Sequence, residues 1–318
     1  MTTSTGLSAW RAATVALLLL WLTGCATLSV PDYASSAPEG LPRQVELTDV
    51  PFHPQDAYQC GPATLATVLE HAGVARTPAQ LVDEVYLPAR QGSLQFEMLG
   101  AVRRAGLLPY RVAPQADALL QEVAAGNPVV VLQNLRFDWF PQWHYAVVVG
   151  YNLSAGELVL RSGGEKRLTM PIADFDRSWA KSGRWAFVAL PSQRLPATAR
   201  EAEYVAAVAD LERVAPAAAR QAYRRALAVW PTNLFARLAL GNAAYRQHLL
   251  DEALTEYRQA TLDHPEAADA WNNLAQILHE SGRGREAREA AARAVAIGGA
   301  RLETYRATQT AVEAGGRR

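Results

Sequence analysis

The chain has 318 residues, half of them apolar, with 31 basic and 31 acidic side chains. That length gives room for about two domains, each able to bury a core of its own. The neutral balance excludes a globally basic nucleic-acid binder and an acidic tail, and so much apolar sequence excludes a disordered chain.

Residues 1–24 read as an export signal. Arg11 precedes an apolar stretch over 12–22, too short to span a bilayer, which takes about 20 apolar residues. The stretch ends in Leu22-Thr23-Gly24-Cys25, which resembles a bacterial lipobox. The resemblance implies that Cys25 is lipidated and becomes the new N-terminus. The acyl chains would anchor the protein in a membrane, each buried CH2 contributing about 0.8 kcal/mol. Ala26 stands where an aspartate would retain a lipoprotein at the inner membrane. The implied location is therefore the outer membrane, facing the periplasm. The chain has two cysteines, so lipidation of Cys25 leaves Cys60 without a disulfide partner. Residues 25–44, with Val30-Pro31, Ala37-Pro38 and Leu41-Pro42, read as a flexible tether. Some 20 such residues have a root-mean-square span of about 25 Å.

The first folded domain is expected over 45–192. A short strand over 45–50 leads into Gln55-Asp56-Ala57-Tyr58-Gln59-Cys60-Gly61-Pro62-Ala63. Leu65, Val68, Leu69 and Ala72 follow at helical spacing, and Gly73 is a stop signal. Gly61 allows a tight turn, and Pro62 is tolerated in a first helical turn. A thiol at this helix start feels the positive end of the helix dipole, which favours the reactive thiolate. Helices are expected over 77–85, with Thr77 as N-cap, over 93–105 and over 116–125. Apolar runs over 128–133, 145–151, 157–161 and 185–190 read as an antiparallel sheet. Helices first and strands afterwards make an α+β domain.

His144 heads the second of those strands, after the aromatic segment Trp139-Phe140-Pro141-Gln142-Trp143, which is suited to form a groove wall. Cysteine catalysis needs a thiolate, an imidazole to take and return its proton, and donors for the developing oxyanion. A helix-borne Cys60 and a strand-borne His144 reproduce the papain-type arrangement. The segments 55–69, Gly126-Asn127-Pro128-Val129-Val130 and His144-Tyr145-Ala146-Val147-Val148-Val149-Gly150-Tyr151 together resemble the bacteriocin-processing (double-glycine leader) cysteine peptidases. The resemblance implies a papain-like fold over 45–192, with Cys60 as nucleophile and His144 as general base. It makes Gln55 the oxyanion-hole amide, acting with the Cys60 N–H; Gln59 is the alternative donor. That family orients its histidine with an aspartate at the end of the next strand, where this chain reads Leu160-Arg161-Ser162-Gly163-Gly164. Ser162 and Asn152 are candidate orienters in its place, with Asp138 and Asp174 if the fold brings them near.

Beyond a linker over 195–198 the strand signals cease. Pro231 and Pro265 lie 34 residues apart, and Leu240-Gly241, Ala244-Tyr245, Ala253, Tyr257 and Ala260 recur as Leu274-Ala275, Leu278, Ala287, Ala291 and Ala294. This pattern resembles the tetratricopeptide repeat, giving an all-α domain over 199–318. Its units are expected over about 200–231 (degenerate), 234–267 and 268–301, with a closing helix over 302–314. Such repeats imply a protein partner in a concave groove, where Asn242, Asn272, Asn273 and Arg237 could lie.

The combined expectation is an envelope cysteine peptidase, anchored by lipid, that cleaves a peptide or protein partner. A non-catalytic peptide-binding scaffold and a Cys/His acyl transferase are the alternatives. No cofactor, metal or nucleic-acid partner is expected.

Overall fold

The computed structural model describes residues 39–55 and 59–315. The export signal, Cys25 and the tether up to residue 38 lie outside them. Among the described residues no helix is long and apolar enough to cross a membrane.

Numbered along the chain, the strands are β1 (Gln44–Glu46), β2 (Tyr86–Leu87), β3 (Gly92–Ser93), β4 (Leu108–Arg111), β5 (Val129–Asn134), β6 (Trp143–Asn152), β7 (Glu157–Ser162), β8 (Glu165–Pro171) and β9 (Ala186–Leu190). Seven of them form one sheet in the order β4-β9-β5-β6-β7-β8, with β1 also paired to β6, while β2 and β3 make a separate hairpin. Every pairing is antiparallel. Helices α1 (Cys60–His71), α2 (Pro78–Val85) and α3 (Gln95–Arg104) pack Leu65, Leu69, Leu81 and Met98 against Val130, Val147 and Val149. On the other side α4 (Ala116–Ala124) and α5 (Ile172–Ala180) pack Leu119, Leu120, Phe175 and Trp179 against Val129, Val131 and Val148. Alternate residues of β5 and β6 thus enter two different cores. That double covering is why these strands read as unbroken apolar runs.

The local signals act as the residue chemistry requires. Thr77 and Gln80 exchange side-chain and backbone hydrogen bonds in a capping box that starts α2, worth about 1 kcal/mol. The expected strand over 45–50 pairs only over Gln44–Glu46. The helix expected from 93 begins at Gln95, because Gly92 and Ser93 pair with Tyr86 and Leu87. Strand β4 contains Pro109 and lies at the sheet edge, where a missing N–H is tolerated. Strand β8 is the other edge and mostly exposed, so it offers no apolar run to read.

The second unit is all helix: α6 (Glu201–Glu212), α7 (Pro216–Val229), α8 (Leu234–Arg246), α9 (Leu250–Asp263), α10 (Ala268–Glu280), α11 (Gly284–Ile297) and α12 (Leu302–Gly315). Small residues set the helix spacing. A Cβ on Gly241 would stand 2.6 Å from the Tyr257 ring, so glycine lets α8 and α9 close up. Asn242 accepts hydrogen bonds from Tyr257 and Asn273. Arg237 does not offer itself to a groove; it pairs with Glu256 at 3.0 Å and Asp263 at 3.3 Å within its own helix pair.

The two units share a core. Leu108, Leu120 and Leu190 of the sheet unit belong to the same buried cluster as Tyr204, Val208 and Tyr223 of α6 and α7. The segment read as a linker is pinned rather than free. The fully buried carboxylate of Glu122 accepts from the Ala197 N–H, the Thr198 N–H and hydroxyl, and the Asn127 amide. Arg103 adds an ion pair to Asp210 at 2.9 Å.

Candidate active site

Helix α1 begins without a side-chain cap. Pro62 has no N–H, so the unbonded donors of the first turn include those of Cys60 and Gly61. Both lie against the Cys60 sulfur. The helix is buried from Gly61 to Leu69, which fixes the thiol's position from behind.

Strand pairing decides what the thiol faces. Strand β7 ends its pairing with β6 at Arg161 opposite Val147. The N-terminal end of β6 therefore has an open backbone edge on that side, and the start of α1 fills it. The Tyr145 N–H reaches the Cys60 sulfur, and the Thr64 hydroxyl donates to the Tyr145 carbonyl at 3.4 Å. Antiparallel strands send the N–H and C=O of one residue to the same side, so one gap serves both contacts.

His144 lies on β6 beside Tyr145, and its Nε2 is 2.8 Å from Ser162 Oγ at the end of β7. Ser162 is placed there by a tight turn: it pairs with Glu165 across Gly163-Gly164, and Gly163 has φ +59°, which favours glycine. The same turn holds Gln55, whose N–H donates to the Gly163 carbonyl at 3.2 Å. Arg161, buried, ties β7 to the chain before Gln55 by donating to the carbonyls of Leu47 and Val50, and to β8 by donating to that of Lys166. The end of β7 and its turn thus make two sets of contacts, Ser162 with the imidazole and Arg161 and Gly163 with the chain up to Gln55.

Cys60, His144 and Gln55 all line one groove of 970 Å³. Its lining includes Arg90–Gln95 and residues 141–144, with Lys181 and Ser182. Asn152 is elsewhere. It sits at the far end of β6, opposite Gln44 and Glu157, and its side chain accepts from the Ala155 N–H in the β6–β7 turn. Asp138 stands 3.6 Å from Lys181, and Asp174 pairs with Arg177, so both candidate carboxylates are engaged away from His144. Ser93, unremarked in the sequence, is also in the groove wall. Its hydroxyl is buried without a partner among the described residues, and a Cβ on Gly61 would meet it at 2.2 Å.

Burial pushes the Cys60 thiol above its ordinary range, although the N–H groups of Tyr145, Gly61 and Cys60 pull it back in part. The helix start alone favours the thiolate; desolvation outweighs it. Burial also pushes the His144 imidazole below its ordinary range. The pair therefore rests as thiol and neutral imidazole near pH 7, with His144 in the form that can accept a proton. Among the described residues no cluster of three His, Cys, Asp or Glu could hold a metal.

Residues 47–187 match the Peptidase_C39 like family, and residues 238–301 match a tetratricopeptide repeat family. The chain thus carries a peptidase C39-like domain followed by tetratricopeptide repeats. No curated protein matches the sequence. Solved structures similar to part of the chain include these two. A protein described as a C39-like peptidase from Bacillus anthracis is 18% identical, with a TM-score of 0.40, over 46% of this chain and 97% of that one. The peptidase domain of Streptococcus ComA, described as a bifunctional ABC transporter involved in quorum sensing, is 21% identical, with a TM-score of 0.36, over 45% and 98%.

Proposed function

We propose that this chain, a peptidase C39-like domain joined to tetratricopeptide repeats, is a cysteine peptidase of the bacterial cell envelope. Lipid on Cys25 holds it to the outer membrane on the periplasmic side, and the repeats bind a protein partner. The observation that carries the catalytic reading is the convergence of Cys60, His144 and Gln55 in one groove, with Ser162 on the far nitrogen of the imidazole.

In this reading Ser162 occupies Nε2, which leaves Nδ1 for the thiol. As the sulfur attacks the scissile carbonyl carbon, Nδ1 takes the thiol proton, and the carbonyl π electrons move onto oxygen. The side-chain amide of Gln55 and the Cys60 N–H hold that oxyanion. The imidazolium then gives its proton to the departing amine as the C–N bond breaks, leaving a thioester. A water, deprotonated by His144, hydrolyses the thioester and restores the thiol. Transfer of the acyl group to an amine in place of water would use the same residues.

The test is labelling with an electrophilic peptide probe. Wild-type protein is expected to be labelled at Cys60, and the Cys60→Ala variant not at all. Equal labelling of the variant would sink the proposal. A scaffold that binds peptide without cleaving it has its own support. Ser162 is a weaker orienter than a carboxylate, and burial raises the thiol. Retained peptide binding with no thioester trapped on the intact protein would select that reading. Loss of palmitate incorporation in Cys25→Ala checks the anchor.

A further inference from the structure

Among its described residues, the groove lining carries charge of one sign. The permanently charged side chains in that lining are Arg90 and Lys181. No aspartate or glutamate is among them. Lys181 is partly occupied, donating to the Arg136 carbonyl at 2.6 Å and standing 3.6 Å from Asp138. Arg90 is exposed and meets no carboxylate among the described residues. Gln91, Gln95 and Gln142 add uncharged amides suited to a peptide backbone.

The wall continues outward as an apolar ribbon. Trp143 both lines the groove and is half exposed, and it leads back to Phe137, Trp139 and Phe140, which are 64%, 82% and 58% exposed. The ribbon is ordered by its own contacts. Phe137 and Trp139 stack at 5.6 Å, Phe137 and Phe140 form a backbone bridge, and the Arg136 guanidinium lies over the Phe140 ring. Aromatics this exposed mark a surface that something covers.

We infer that the groove selects a peptide segment carrying an acidic side chain beside an apolar one. Arg90, with Lys181 in the same lining, takes the carboxylate, and the apolar side chain lies on the aromatic ribbon. A lipid surface would also suit exposed tryptophans, but continuity with the Cys60 groove and an arginine in its lining that meets no carboxylate among the described residues favour a peptide. The inference rests on reading the groove as the peptide site of the proposed peptidase.

Cys60→Ala protein, which binds without turnover, separates the two. Labelled dodecapeptides of one scaffold carry Asp-Phe, Asn-Phe, Lys-Phe or Asp-Ser at their centre, and their affinity is read by fluorescence anisotropy. Asp-Phe is expected to bind about fivefold more tightly than Asn-Phe, the size of a partly exposed ion pair, and more tightly than Asp-Ser. Adding Arg90→Glu, a change at an exposed side chain, is expected to turn the preference toward Lys-Phe. Equal affinities, or an acid preference that survives Arg90→Glu, would overturn the inference. So would the absence of any binder, or binding only to anionic phosphatidylglycerol vesicles. Acid-selective binding that wild-type protein never follows with cleavage would remove the peptidase and leave this selectivity standing. Cleavage indifferent to charge would do the reverse.

Discussion

Ser162 Oγ lies 2.8 Å from His144 Nε2, and it can serve either as donor or as acceptor there. A carboxylate can only accept, and so forces the tautomer with the proton on Nε2 and the base on Nδ1. A serine allows both tautomers, and the one in which it donates to Nε2 leaves Nδ1 protonated and unable to take the thiol proton.

Ser162→Asp is therefore expected to raise the rate of acylation, by about fivefold for exchanging a neutral hydrogen bond for a charge-assisted one. Ser162→Ala should lower it by a similar factor. Single-turnover labelling rates with the peptide probe measure both. A fall in Ser162→Asp would mean that Ser162 does not orient the ring.

The pH profile of labelling follows from the two shifts. His144 must be neutral to act, and burial lowers its pKa, so the acid limb should fall below about pH 6.5. Burial raises the thiol, so ionisation of the resting Cys60 should lie above about pH 8.5. A broad plateau between the limbs is expected. In Ser162→Asp the new negative charge favours the imidazolium, and the acid limb should move to higher pH.

Gly61 is a packing requirement. A Cβ there would stand 2.2 Å from Ser93 Oγ and 2.6 Å from Ser93 Cβ. Gly61→Ala should cost about 1–3 kcal/mol in chemical denaturation, the range for overpacking, and shift the start of α1 enough to abolish labelling. Adding Ser93→Gly removes both contacts and should restore stability.

Glu122 joins the two units. Glu122→Ala leaves buried donors from Asn127, Ala197 and Thr198 without their acceptor. The loss should be about 3 kcal/mol of unfolding free energy. Because α6 and α7 complete the sheet unit's core, a chain ending at residue 198 should bind hydrophobic dye and lose its cooperative transition. A sheet unit that melts sharply on its own would refute the shared core.

Much of this molecule is fixed by local chemistry that can be read in one dimension. The Cys60 helix, the Thr77 cap, the apolar runs of β5, β6, β7 and β9, and the repeat period all arise from spacing, turn residues and branched side chains acting on near neighbours. That Cys60 and His144 meet in one groove was legible too, through motif resemblance, because each residue sits at the start of its own element. What tertiary structure decided is whatever depends on register and burial. Strand β7 stops opposite Val147, and that single offset opens the edge of β6 where the thiol docks. It also delivers Ser162 to the imidazole and leaves Asn152 at the far end of the ten-residue strand β6. Burial then reverses the helix start's effect on the thiol, since desolvation depends on the packed surroundings and not on sequence position. The same holds for residues 195–198, whose loop-forming sequence gives no sign that a buried carboxylate 75 residues earlier holds them.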